Sequence, residues 1–151
     1  MSVPNKSVPP SLALKLENQL CFALYSTSLA MTKVYKPLLS KLELTYPQYV
    51  VMLVLWEEGD LMVSEIGEKL FLDSGTLTPL LKRLEASGLI TRQRDSSDER
   101  RVRVNLTEKG RALRANAASI PACIAAQTQY DLTELRALMD SVKSLRSHLI
   151  S

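Results

Sequence analysis

Two thiols and a set of phenols are the groups in this chain best suited to covalent chemistry. Cys21 and Cys123 are its two cysteines in 151 residues. A thiolate, rather than a thiol, attacks a peroxide O–O bond and becomes a sulfenic acid, which can condense with a second thiol to a disulfide. Free cysteine is mostly protonated at neutral pH, so such chemistry needs a group that favours the anion. No histidine or lysine lies within a helical turn of Cys21, and the sole histidine, His148, stands near the other end of the chain. Phenol hydroxyls donating to sulfur are the available means, and Tyr25, Tyr35, Tyr46 and Tyr49 are the candidates. Tyr25 lies four residues beyond Cys21, on the same helical face. Tyr35 is fourteen residues on, about 21 Å along a straight helix. It is out of reach of its own Cys21 but could reach a partner's in an antiparallel crossing. Taken alone, a helical cysteine is more often a small buried apolar group, and a tyrosine more often a core residue.

A second chemistry is written into Val63 to Leu106. Val63, Ile66, Gly67 and Leu70 follow the i, i+3, i+4, i+7 spacing of one helical face. Leu77, Leu80, Leu81 and Leu84 share one arc of a second helix. The opposite side of that helix carries Gly75, Thr78, Pro79, Lys82 and Ala86, flanked by Thr76 and Arg83. With no bulky apolar group there, base edges and phosphates can come close. Asp73, Ser74, Thr76 and Thr78 are candidate polar contacts, and Lys82 and Arg83 candidate partners of phosphate or guanine. Pro79 fits only near a first helical turn, which leaves the start of this helix open. Gly88 stops it. A strand from Leu89 to Arg94, the tip Asp95 to Arg100 and an alternating return strand then form a hairpin, or wing, with Val102, Val104 and Leu106 on one face.

Charge separates this segment from the rest. Lys82 to Arg103 holds seven basic and four acidic residues, out of 19 and 16 in the whole chain, so twelve of each sign remain elsewhere. The entire formal charge of +3 sits in the segment suspected of reading DNA. Arg100 is the candidate for minor-groove insertion, with Asp98 orienting its guanidinium; a surface ion pair of little weight is the plainer alternative. Arg92, Arg94, Arg101 and Arg103 are candidates for phosphate contact or for balancing surface charge.

These groups need a scaffold, and the remaining sequence describes one. Apolar residues at 46% and charged ones at 23% are ordinary for a globular protein. The start of the chain lacks an apolar signal core and no run reaches a membrane span, so a cytoplasmic protein with reduced thiols is expected. Residues 1–11, with Pro4, Pro9 and Pro10, read as an arm. A long helix is expected from Leu12 to near Pro37, with Cys21, Tyr25, Ser28 and Thr32 along one line. It is apolar around most of its circumference near Cys21, which suggests burial against a partner subunit. Thr45 caps the next helix, with Pro47 in its first turn. That helix, Pro47 to Glu57, is almost wholly apolar. After the wing, Thr107 caps a helix that Pro121 should kink or break, and Asp131 to Ser151 is strongly amphipathic. The expectation is a mainly α fold with a small β wing, one domain over residues 1–151. Residues 47–107 form a winged helix-turn-helix, and 12–46 with 108–151 form a helical dimerisation module. No metal site or cofactor is expected.

D-S-S-D-E-R-R at Asp95 to Arg101 and L-T-E-K-G at Leu106 to Gly110 resemble the MarR family of winged-helix regulators. Longer motifs around Cys21, from Leu44 to Glu57 and from Leu72 to Glu85 are similar to those of its organic hydroperoxide resistance regulators. The resemblance implies a homodimeric repressor that holds a pseudo-palindromic double-stranded operator when reduced and lets go when an organic hydroperoxide oxidises it. It implies that Cys21 is the sensor and that Tyr35 and Tyr46 hydrogen-bond its thiolate from the other subunit. Cys123 would place the chain in the two-cysteine group, as the resolving thiol of an intersubunit disulfide. A regulator released by a small aromatic ligand, with Cys21 a bystander, is the same-fold alternative. A thiol peroxidase and an architectural DNA-binder are the alternatives of other classes.

Overall fold

The computed structural model describes residues 8–151; the first seven residues of the expected arm lie outside the described residues. The elements run α1 (Pro10–Ala13), a 3-10 turn (Leu16–Asn18), α2 (Leu20–Ser40), α3 (Tyr46–Glu58), β1 (Leu61–Met62), α4 (Val63–Leu70), α5 (Ser74–Ala86), β2 (Ile90–Arg94), β3 (Val102–Leu106), α6 (Glu108–Ala117), α7 (Ile120–Thr128) and α8 (Leu132–Ile150). This is the mainly helical fold with a small antiparallel wing that the pattern foretold.

Three boundaries differ from expectation. The helix expected from Leu12 is broken, because the side-chain amides of Asn18 and Gln19 turn back onto the carbonyls of Leu12, Ala13 and Lys15 at 2.6–2.8 Å. Gln19 itself is extended, and α2 begins at Leu20. Pro37 does not end α2; the helix runs three residues past it to Ser40. Pro79 lies in the second turn of α5, which starts at Ser74, so the helix carries the missing N–H in its body. Pro121 behaves as expected of a breaker. Helix α6 ends before it, and Pro121 stands in the first turn of α7, where an absent N–H costs nothing.

Local sequence accounts for the other starts. Thr45 and Gln48 form a reciprocal capping box on α3, and Asp131 with Glu134 does the same on α8. Asp73 and Thr107 cap α5 and α6. Gly88, at φ 77°, takes the left-handed conformation that turns the chain from α5 into β2. Gly110 is required by proximity, since a Cβ there would overlap the Leu89 carbonyl oxygen.

The core lies where α3, α4 and α5 meet the sheet. Met52, Leu55, Ile66, Leu77, Leu81 and Val104 are fully buried. The sheet has the order β1-β3-β2, both pairings antiparallel, with Leu61 opposite Val104 and Ile90 opposite Leu106. β1 was not anticipated; two residues are too few to show an alternation. By contrast α2 and α8 leave apolar faces uncovered: Leu20 is 62% exposed, Leu132 78% and Leu149 75%. α8 buries none of its nineteen residues. Patches of this size call for a partner. No helix among the described residues is long and apolar enough to cross a membrane.

Candidate functional site

Cys21 is the second residue of α2 and its side chain is exposed. Beginning α2 at Leu20 changes the local chemistry. The first backbone bond across the helix start runs from the Ala23 N–H to the Gln19 carbonyl at 3.1 Å. Among the described residues no acceptor takes the N–H of Leu20, Cys21 or Phe22, and Gln19 provides no side-chain cap. Open first-turn donors and the positive end of the helix dipole favour an anion at this place. A helix starting at Leu12 would have put Cys21 in mid-helix, so the sequence reading missed this contribution.

The phenols divide into two groups. Tyr25 sits one turn along α2 from Cys21 and is exposed. Tyr35, Tyr46 and Tyr49 cluster where α2 meets α3, with ring centroids 4.9 Å apart for Tyr35–Tyr46 and 5.8 Å for Tyr35–Tyr49. Burial, with the neighbouring phenols of Tyr46 and Tyr49, pushes Tyr35 up to about 12. Tyr49 is raised by burial as well. Both therefore remain neutral hydrogen-bond donors at neutral pH. None of these hydroxyls donates to an acceptor among the described residues. Tyr35 and Tyr46 are thus brought together, but the length of α2 keeps Tyr35 about 21 Å from its own Cys21.

Cys123 lies in α7, exposed and unpaired, with its N–H on the Ser119 carbonyl at 3.2 Å. α7 packs against α2.

The second surface is built from α5 and the wing. Asp73 accepts the Thr76 N–H at 2.7 Å, and this bond holds its carboxyl below the usual range. Thr78 returns its hydroxyl to the Ser74 carbonyl at 2.7 Å. Asp73 and Thr78 therefore serve the helix itself, whereas Ser74, Thr76, Lys82 and Arg83 are exposed, and Ser74, Lys82 and Arg83 have no side-chain partner among the described residues.

The arginines of the wing fall into two sets. Arg92 bridges to Glu85 at 3.0 Å, Arg94 donates to the Glu99 carbonyl at 2.9 Å, and Arg103 bridges to Asp60 at 2.9 Å. These three brace the hairpin. Arg100 projects from the tip with its side chain 92% exposed, its Nε 3.3 Å from Asp98, and Asp98 also accepts the Arg100 N–H at 3.0 Å. Arg101 is exposed with its guanidinium unbonded among the described residues. Glu85 and Asp60 escaped the sequence reading. The sequence signal for Glu85 was slight: an acid near a helix C-terminus, seven residues before an arginine across a glycine turn.

The comparisons agree with this architecture. Residues 33–116 match the model of the transcriptional regulator SarA/Rot family. The HTH-type transcriptional regulator TtmR of Methylorubrum extorquens is 52% identical over 99% of this chain and 74% of its own length. The organic hydroperoxide resistance transcriptional regulator of Bacillus subtilis is 52% identical over 87% of this chain and 90% of its own. Among solved structures, reduced AbfR bound to DNA, from Staphylococcus epidermidis, is 38% identical, covers 90% of this chain and 96% of that one, and has a TM-score of 0.76. The disulfide form of AbfR, 37% identical over 93% and 95%, overlays less closely at 0.63. This chain belongs to the MarR family of winged-helix transcriptional regulators, in its organic hydroperoxide resistance group.

Proposed function

We propose that this regulator is a peroxide-sensing repressor: a homodimer that holds operator DNA while Cys21 is reduced and releases it once Cys21 is oxidised. The observation that carries the reading is the place of Cys21, exposed in an open first helical turn beside an uncovered apolar face. Pairing of the α2 and α8 faces of two copies would bury that face. It would also supply the thiolate with donors that its own chain cannot bring to it, Tyr35 and Tyr46 of the second copy, with Tyr25 as the nearer donor on the same helix. Apolar walls around the sulfur suit a substrate whose organic tail must leave water, and so an organic hydroperoxide over hydrogen peroxide.

In the first step the Cys21 thiolate attacks the terminal peroxide oxygen. An S–O bond forms, the O–O bond breaks, and the alkoxide leaves and takes a proton from water as an alcohol. Sulfur is oxidised and the peroxide reduced. In the second step the Cys123 thiol of the other subunit attacks the sulfenic sulfur, an S–S bond forms and water leaves. A disulfide needs Cα atoms within about 7 Å, so a longer separation in the reduced dimer would oblige the helices to move. Operator half-sites lie about 34 Å apart, and a shift of a few ångströms between recognition helices ends simultaneous docking. Ser74, Thr76, Lys82 and Arg83 face the major groove in this reading, and Arg100 with Asp98 and Arg101 faces the minor groove and phosphates.

The test is fluorescence anisotropy on the protein's own promoter DNA before and after one equivalent of an organic hydroperoxide. Wild type should release the DNA, dithiothreitol should restore binding, and Cys21→Ser should stay bound throughout. Wild type that stays bound after stoichiometric oxidation would sink the reading.

A further inference from the structure

Glu85 is out of place on a DNA-reading surface. It is an acid in the last turn of α5, where the helix dipole disfavours negative charge. It stands among the basic residues of the segment, where it would repel phosphate. Yet its carboxylate is fully used. One oxygen accepts the Arg92 backbone N–H at 3.1 Å, and the other accepts the Arg92 guanidinium at 3.0 Å. Those bonds hold the Glu85 carboxyl below the usual range. The Arg92 side chain is only 23% exposed, and its Nε is buried without an acceptor among the described residues. The guanidinium is thus committed inward, toward α5, rather than outward to a phosphate.

What this bridge spans is the glycine turn from α5 into β2, whose carbonyls at Ser87, Gly88 and Leu89 accept bonds from Lys109 and Thr107 at the start of α6. Between α5 and β2 lie Ser87, Gly88 and Leu89, with Gly88 in the left-handed conformation. β3, the central strand, is held by its pairing with β1 on the far edge and by Arg103 on Asp60. β2 is an edge strand, and Glu85 on Arg92 is the side-chain bridge that ties it to the recognition helix.

We propose that Glu85 is a positioning residue for operator recognition: through Arg92 it fixes the pitch of the wing against α5, so that Lys82 and Arg83 and the tip residue Arg100 engage the same duplex together. This rests on the DNA-binding reading above, and it removes Arg92 from the direct phosphate contacts.

The experiment measures operator affinity for wild type, Glu85→Ala, Arg100→Ala and the double variant, in the reduced dimer and at several salt concentrations, with hydroxyl-radical footprints. Electrostatics alone predicts that deleting an acid tightens binding. The positioning role predicts the opposite: Glu85→Ala weakens binding about tenfold and blurs the footprint at the wing positions. Arg100→Ala should weaken wild type severalfold but cost little more once Glu85 is gone. Thermal melting is followed in parallel, and if Glu85→Ala does not fold, Glu85→Gln is read in its place, since it keeps one acceptor and loses the charge-assisted bond. Unchanged or tighter binding by the variant, or an Arg100→Ala penalty of equal size in both backgrounds, overturns the proposal. If wild type itself shows no preference for its promoter, the DNA-binding reading fails and this proposal with it.

Discussion

The sharpest consequence of the geometry concerns which chain supplies the phenols to Cys21. Fourteen residues of α2 separate Cys21 from Tyr35, about 21 Å at 1.5 Å per residue, and Tyr46 packs on Tyr35 at 4.9 Å between ring centroids. A hydrogen bond to sulfur spans no more than about 4 Å, so Tyr35 and Tyr46 donate from the second copy or not at all. The perturbation is a mixed dimer of one Cys21→Ser protomer and one Tyr35→Phe/Tyr46→Phe protomer. Its one remaining Cys21 sits on the phenylalanine chain and faces the intact tyrosines of the other. A charge-assisted hydrogen bond contributes about 1.5 kcal/mol at the low end, and two contribute about 3 kcal/mol. A less stabilised thiolate is rarer but more nucleophilic, with a Brønsted coefficient near 0.5, so about half of that reaches the rate. The Tyr35→Phe/Tyr46→Phe homodimer should therefore be oxidised about tenfold more slowly than wild type. The mixed dimer should keep the wild-type rate. The assay is single-turnover oxidation by cumene hydroperoxide, quenched with a thiol-alkylating reagent, with the modified Cys21 counted by mass spectrometry. A mixed dimer as slow as the phenylalanine homodimer refutes the intersubunit arrangement.

Further outcomes follow from the same fold. Tyr35 is held near 12 against an ordinary 10.0, so between pH 10 and 12 the unfolded chain loses its phenolic proton first and stability falls. The full shift corresponds to about 2.7 kcal/mol, and partial exposure reduces it to about 1 kcal/mol; urea unfolding across that window should show the decline, and Tyr35→Phe should flatten it. Gly110→Ala forces a Cβ onto the Leu89 carbonyl, which also accepts the Thr107 N–H at 3.0 Å, and strains the Trp56 bond to the Gly110 carbonyl at 2.8 Å. Loss of that cap and that bond amounts to about 2–3 kcal/mol in denaturant unfolding; a variant as stable as wild type would show that the helix start slides freely. Lys82→Ala should lower the slope of log affinity against log salt by about 0.9 per protomer at unchanged melting temperature, and an unaltered slope would remove Lys82 from the phosphate contacts.

The sequence by itself determined the reading head. Apolar spacing in α4 and α5, alternation in β3 and the caps at Thr45 and Thr107 are set by contacts within a few residues. A period of 3.6 or 2 records these contacts directly. The basic balance from Lys82 to Arg103 was likewise a property of the chain as written. What only the tertiary structure decided lies where partners are distant or where short elements leave no periodicity. The start of α2 depends on amides of Asn18 and Gln19 reaching carbonyls four to six residues back, and hydrophobic period carries no trace of that. β1 is two residues long and exists through its pairing with β3. The division of the wing's arginines into braces and free cations depends on the pitch of a hairpin about Gly88, which brings Arg92 to Glu85 and leaves Arg100 in solvent. A charge count sees five equal arginines there; folding makes them unequal.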